Sequence, residues 1–260
     1  MSSTPEERSV VLREDGEPVA RAVLTGSLPV LGLEQLWVRP DRPDAVRTVL
    51  EQVRAQVRVQ ARAAGATVLS LEVPGDDALL AGLAAGTRLL GERMAKAVPT
   101  DLQVPAGLGW RAMTEDELGP WRERQVALYA EDGLQNVGGD RELALADARQ
   151  DFATLLPDGL RTPDTSLLVL SADETPVGHL WVRHHRRPQM SYVFDVEVDG
   201  AHRGRGHGRS AMRVAEVLTR AAGDDVLGLH VFGWNRVART LYRSLGYTLR
   251  SSTYDLLTPA

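Results

Sequence analysis

Between Tyr192 and Ala222 the chain passes from an alternating apolar run through a glycine-rich turn into a helical rhythm, and few folds accommodate that succession. Tyr192 to Val198 reads as a strand that stops at Asp199-Gly200. Ser210 to Ala222 carries Met212, Val214, Ala215, Val217 and Leu218 at helical spacing. Between them stands Ala201-His202-Arg203-Gly204-Arg205-Gly206-His207-Gly208-Arg209. A strand, a glycine loop and a helix N-terminus aim several free backbone N–H groups at one point. The helix adds a partial positive charge there, so an anion is expected. Arg203, Arg205 and Arg209 reinforce that sign.

The spacing narrows the choice of anion. A P-loop needs a lysine after its glycines, and none stands here. A dinucleotide fingerprint needs G-x-G-x-x-G, whereas Gly204, Gly206 and Gly208 give G-x-G-x-G. The pattern Arg203-x-x-Gly206-x-Gly208 instead resembles the pyrophosphate loop of the GNAT superfamily, the acetyl-CoA-dependent N-acetyltransferases. A second stretch, His230 to Tyr247, is similar to that family's signature N-x-x-A-x-x-L-Y-x-x-x-G-F/Y, matched by Asn235, Ala238, Leu241, Tyr242, Gly246 and Tyr247.

The resemblance implies an α/β chain with a mixed sheet, the GNAT or acyl-CoA N-acyltransferase fold, and acetyl-CoA as cosubstrate. It implies that Arg203, Gly204, Arg205, Gly206, His207, Gly208 and Arg209 bind the cofactor, with the backbone amides from about Arg205 to Arg209 holding the CoA pyrophosphate. The main chain at Val196 and Val198 would pair with the pantetheine arm, and Asn235 and Ala238 would border the same arm. Tyr242 matches the family's general acid; a phenol stays protonated at neutral pH and can donate to the departing sulfur. The general base is left open. The family's usual positions on the strand hold Tyr192 and Phe194, while Asp195 and Glu197 have the opposite parity and face away unless the strand carries a bulge. An ordered water, His179 or His230 could serve instead.

A chain of 260 residues holds one large or two modest domains. The net charge of −5 argues against a general nucleic-acid binder. Without cysteine there is no disulfide framework, thiol nucleophile or thiolate metal site. The polar, acidic start, Met1 to Glu7, is no signal peptide, and no apolar run is long enough for a membrane span. A cytoplasmic protein without a membrane partner is expected. Lys96 is the sole lysine, to which no function attaches at this level.

In chain order, strands are expected at Ser9–Arg13, Pro18–Thr25 and Gly32–Val38, the first two joined at Asp15-Gly16. A helix over Asp44–Ala64 has Asp44 as N-cap and Gly65 as its stop. A strand at Thr67–Val73, a helix at Asp76–Ala85 and a strand at Leu89–Val98 lead to a linker at Asp101–Gly109. Then follow a strand at Trp110–Met113 and helices at Glu115–Tyr129 and Arg141–Leu156. A hairpin of Ser166–Ser171 and Pro176–Arg183, the strand Ser191–Val198, the loop helix, the strand Val226–Phe232, the helix Arg236–Leu245 and the strand Thr248–Leu256 complete the chain. The domains divide as 1–104 and 105–260.

The first of these is similar to a truncated GNAT copy. Leu71-Glu72-Val73-Pro74-Gly75 aligns with Leu229-His230-Val231-Phe232-Gly233, and Trp37-Val38-Arg39-Pro40 with Glu197-Val198-Asp199-Gly200. Asp77 stands for Asn235, Ala84 for Tyr242, and Arg42-Pro43-Asp44 replaces the glycine loop, so this copy is structural or shapes the acceptor site. No metal site is expected: His184-His185-Arg186-Arg187 lacks a carboxylate at ligand spacing and reads as a solvated loop facing the acceptor. Trp121, Tyr129 and Trp181 read as core or groove wall, and Asp224-Asp225 as turn chemistry. The reading is an N-acetyltransferase acting on an amine-bearing small molecule or peptide, its oligomeric state open. The alternative is a non-catalytic acyl-CoA-binding or sensing module.

Overall fold

The computed structural model describes residues 7–39, 46–103 and 106–260. In the N-terminal half, β1 (Arg8–Glu14) and β2 (Glu17–Ser27) form a hairpin across Asp15-Gly16, both of which adopt positive φ. β3 (Val30–Val38), α1 (Val46–Ala63), β4 (Val68–Pro74), α2 (Ala78–Ala84) and β5 (Thr87–Ala97) follow. α1 buries Val49, Leu50, Val53, Val57 and Ala61, one stripe at helical spacing, against the sheet. Gly65, at φ +88, follows its end as anticipated. The expected N-cap Asp44 and the Arg42-Pro43-Asp44 segment lie outside the described residues.

The C-terminal half runs β6 (Gly109–Ala112), α3 (Glu115–Val137), α4 (Arg141–Leu155), β7 (Thr165–Ala172), β8 (Thr175–Arg187) and β9 (Met190–Val198). Then come α5 (His207–Ala221), β10 (Val226–Phe232), α6 (Arg236–Ser244) and β11 (Thr248–Pro259). α3 opens with a capping box between Thr114 and Glu117. It continues past Tyr129 to Val137, where Gly138 takes positive φ, because its last turns are polar and carry no core stripe to read.

The eleven strands among the described residues join one sheet in the order β1-β2-β3-β4-β11-β5-β10-β9-β8-β7-β6. The halves therefore exchange strands: β11 pairs with β4 of the first half, and β5 pairs with β10 of the second. The strand order crosses the 104/105 boundary three times. The cores follow the strands. Leu256 and Leu257 of β11 pack among the residues buried under α1, while Met94 of β5 packs with Met212, Val214 and Leu229.

The repeat read in the sequence is a repeat of structure. Gly75 donates its N–H to Arg250 at 2.9 Å, and Gly233 donates to Leu90 at 2.8 Å. A Cβ on Gly233 would stand 2.1 Å from the Leu89 carbonyl oxygen, so only glycine lets β10 end this close to β5. Asp77 caps α2 by accepting from Leu80 N–H at 2.9 Å, and Asn235 caps α6 by accepting from Ala238 N–H at 3.0 Å.

Two surface assignments change. His184-His185-Arg186-Arg187 is the end of β8, not a solvated loop. His184 sits half-buried between the hydroxyls of Ser166 and Ser191, at 2.9 and 3.0 Å, and burial lowers its pKa. Asp224 is buried rather than turn surface, accepting from the Ser191 hydroxyl at 2.7 Å and the His185 N–H at 2.9 Å. Both segments lack apolar alternation, so their strand and core roles leave no hydrophobic trace. The lone lysine also finds its place. Lys96 Nζ lies 2.7 Å from Glu216, a fully buried carboxylate on α5 that Arg213 also contacts at 2.8 Å.

Candidate active site

β9 and β10 pair in parallel only from Met190–Val193 to Val226–Leu229. Beyond that point β9 stays on β8 while β10 follows β5, and the sheet splays open. The cleft that results has a volume of about 1140 Å³ and reaches from the glycine loop to the groove beside α3 and α4.

The loop forms one wall. Gly204 and Gly206 take φ +77 and +87, and Gly206 is the N-cap of α5. That left-handed cap is what requires glycine at 206, where the space beside Cα is open. α5 begins at His207, earlier than the apolar rhythm indicates, because its first turn places no side chain in the core and leaves the His207 and Gly208 N–H groups without a backbone partner. Gly208 lies against Leu241, a Cβ there falling 3.4 Å from its methyl carbon, and Arg209 reaches Ser244 at 2.9 Å. The loop is thus fastened to the C-terminal half of α6.

Of the strand residues matched to the pantetheine arm, Val196 and Val198 stand opposite Leu180 and Gly178. Asp199 donates to Val177 at 2.9 Å, so antiparallel alternation turns the polar groups of Val198 and Val196 away from β8 and towards the cleft. The Val198 carbonyl is already occupied, accepting from Arg203 Nε at 2.9 Å. Asn235 lines the cleft, but its carbonyl oxygen caps α6, which leaves only its amide nitrogen for a ligand. Ala238 also lines the cleft.

A β-bulge decides the chemistry. Val193 pairs with Val182 and Asp195 with Trp181, leaving Phe194 as the extra residue of β9. The expectation that Asp195 and Glu197 face away held only for a strand without a bulge. With it, both carboxylates turn into the cleft. Asp195 Oδ2 and Glu197 Oε2 lie 2.9 and 3.2 Å from His179 Nε2, and the Gln125 amide, 2.9 Å from the same nitrogen, closes the cluster. Nothing in the residue types around Phe194 marks the bulge, which is why this cluster is invisible in the sequence.

Burial alone would drive the His179 imidazole down; the Asp195 and Glu197 carboxylates overcome it and hold its pKa up at about 9. A pKa raised above the ordinary 6.5 contributes stability that is complete below pH 6.5 and lost as pH rises through 9. The contribution is up to about 3 kcal/mol. Urea unfolding of the parent should therefore show a loss of stability between about pH 6.5 and 9 that His179→Gln lacks. Equal losses in both proteins would remove His179 as the cause.

Tyr242, on α6, is 6 % exposed and borders the cleft. Burial pushes its phenol up to about 12, with the Asp195 carboxylate adding to the rise. Its hydroxyl has no hydrogen-bond partner among the described residues. Across the splay, His230 faces the cleft with its ring nitrogens unbonded, its pKa lowered by burial and by Arg93. Gly91 makes room for that ring: a Cβ there would fall 2.3 Å from Nε2. Aromatic side chains form the remaining walls. Phe194 stacks on Trp181 at 4.9 Å, and Phe232 on Trp234 at 5.8 Å. Trp181 and Tyr129 line the groove, whereas Trp121 is core. Among the described residues no group of three His, Asp or Glu side chains is arranged to hold a metal ion, and no helix is long and apolar enough to cross a membrane.

Residues 123–247 match the model of the acetyltransferase (GNAT) family. An uncharacterized N-acetyltransferase of Bacillus subtilis (strain 168), YycN, is 34% identical over 124 residues, which are 46% of this chain and 78% of that protein. The crystal structure of YycN superposes with a TM-score of 0.51 at 29% identity, over 54% of this chain and 92% of that one. A mycothiol acetyltransferase of Clavibacter sepedonicus is 30% identical over 173 residues, 65% of this chain and 49% of that protein. The fold extends over nearly the whole chain in a GCN5-related N-acetyltransferase from Sphaerobacter thermophilus, with a TM-score of 0.54 at 17% identity over 97% of this chain and 81% of that one. The chain belongs to the GNAT family and is an acyltransferase, its glycine loop and Tyr242 helix lying in the C-terminal half that the family model spans.

Proposed function

We propose that the protein transfers the acetyl group of acetyl-CoA to a primary amine by direct attack in the cleft between β9 and β10. The observation that carries this reading is the convergence of the Gly206 cap, the unpaired edge of β9 and the Tyr242 hydroxyl on one cleft. The loop N–H groups and the start of α5 bind the pyrophosphate, and the free edge of β9 takes the pantetheine arm, with the Asn235 amide beside it. The acceptor enters from the aromatic side. Its nitrogen attacks the thioester carbon, nitrogen loses a proton to a base, the C–S bond breaks, and the sulfur leaves as the CoA thiolate, which takes a proton from solvent.

Asp195, turned into the cleft by the bulge, is the group assigned to take the amine proton. Tyr242 faces the sulfur. With a pKa of about 12 the phenol is a weaker acid than a thiol, whose ordinary value is about 8.5. Its contribution is therefore a hydrogen bond to sulfur that strengthens as negative charge develops. The substrate reading stays at the level of an amine-bearing small molecule or peptide, since the fold alone names no acceptor.

Thermal unfolding with and without acetyl-CoA tests the cofactor site. Ligand at about 100 times its dissociation constant adds roughly 2.7 kcal/mol, a rise of several degrees in a chain of this size. Gly206→Glu forces a side chain into a left-handed cap and sets a carboxylate against the phosphates, so its shift should vanish. A parent without a shift, or a Gly206→Glu protein that keeps it, would sink the assignment.

A further inference from the structure

α6 is nine residues long, a length at which an isolated helix is unstable in water. Tyr242 is its only fully buried side chain; Ala238 and Leu241 are partly buried, and Val237 is exposed. The helix that presents the phenol thus has little apolar anchorage. Its other anchor comes from the opposite half of the chain. Glu92, on the exchanged strand β5, is 4 % exposed and holds two arginines of α6. Its carboxylate accepts from Arg239 at 2.9 and 3.1 Å and from Arg243 at 2.7 and 2.8 Å. Arg239 also donates to the Gly233 carbonyl at 3.0 Å, tying the start of α6 to the end of β10.

The spacing gives the contact its meaning. Arg239, Tyr242 and Arg243 stand at i, i+3 and i+4, on one face of the helix, so a single carboxylate grips both sides of the tyrosine. Burial pushes the Glu92 carboxyl up, but Arg239 and Arg243 more than offset this and hold it below the usual range, ionised at neutral pH. A charge-assisted cluster of this kind fixes direction as well as distance. The corresponding helix of the first half, α2, carries Ala84 where Tyr242 stands and presents no such tyrosine.

We propose that Glu92, contributed by the N-terminal half, is a positioning residue that holds α6 so that the Tyr242 hydroxyl faces the reacting sulfur. The proposal rests on the reading of Tyr242 given above. It assigns the N-terminal half a task in catalysis: β5 delivers the clamp, and the second half has no carboxylate of its own in that place among the described residues. Glu92 touches no reacting atom and acts through the helix.

The test uses the full chain with Glu92→Gln, and Arg243→Gln as a second variant, because Arg243 is half-exposed and its loss leaves the buried strand intact. Amide hydrogen exchange across residues 236–244 should rise roughly tenfold or more in both variants. The thermal shift given by acetyl-CoA should persist. With hydroxylamine as the amine probe and release of free CoA thiol as the readout, kcat should fall about 10- to 100-fold with KM for acetyl-CoA unchanged. The double variant should be no slower than the worse single one. Parental exchange in α6, or a lowered melting temperature with parental kcat in the folded protein, would overturn the proposal. Tyr242→Phe, run alongside, separates the two failures: a fast Tyr242→Phe protein sinks the role of the phenol, whereas a slow one beside a fast Glu92→Gln protein sinks the positioning alone.

Discussion

Tyr242→Phe should lower kcat by about 10²–10³, the range for loss of a hydrogen-bond donor aimed at developing charge, and leave acetyl-CoA binding intact. Phenylalanine fills the same buried site beside the Tyr247 ring, 5.9 Å away, so packing survives and only the hydroxyl is removed. That hydroxyl meets the sulfur most strongly once the C–S bond breaks, and an interaction specific to the transition state appears in kcat rather than in KM. The measurement is a pair: turnover with a reactive amine, and the melting shift with acetyl-CoA. Loss of the shift along with turnover would mean that the variant is misfolded or that Tyr242 serves binding. In the same assay Asp195→Asn should lower kcat while keeping the melting shift with acetyl-CoA; parental turnover removes Asp195 from the mechanism.

Lys96→Met should destabilise the protein by about 3 kcal/mol, the lower end of the cost of stranding a buried charge. Glu216 is fully buried on α5, and Lys96 approaches it at 2.7 Å from β5. Arg213 remains at 2.8 Å in the variant, which is why the effect stays at the lower end. In a chain of this length the loss corresponds to a fall in melting temperature of roughly 6–12 °C. Glu216→Leu added to Lys96→Met should recover most of it, because a well-packed apolar pair replaces a buried ion pair at little cost. A single variant that melts with the parent would show that Arg213 alone satisfies the carboxylate. The pair also joins the halves, so this loss is one of inter-half cohesion.

The cofactor side of the site was legible because its requirements are local. A left-handed cap requires glycine, free N–H groups require a helix start, and both leave residues in sequence: Gly204, Gly206 and Gly208 before the stripe of Met212, Val214 and Ala215. The signature from Asn235 to Tyr247 is local for the same reason, since one short helix spaces the cap and the phenol. Even the repeat could be read, because Gly75 and Gly233 each donate an N–H to the neighbouring strand at the ends of β4 and β10, though only at Gly233 is the approach too close for a Cβ.

What the sequence by itself determined is the order of elements, the glycine loop and the identity of the family. Periodicity and turn chemistry operate over a few residues, and those features need nothing more. The tertiary structure alone decided three things: the exchange of β5 and β11, the bulge that turns Asp195 and Glu197 onto His179, and the grip of Glu92 on α6. Each depends on which strand edge lies beside which. A one-residue slip at Phe194 changes the face of a carboxylate without changing a letter of the pattern. Partners such as Glu92 and Arg239 are brought together only when the two halves close into one sheet.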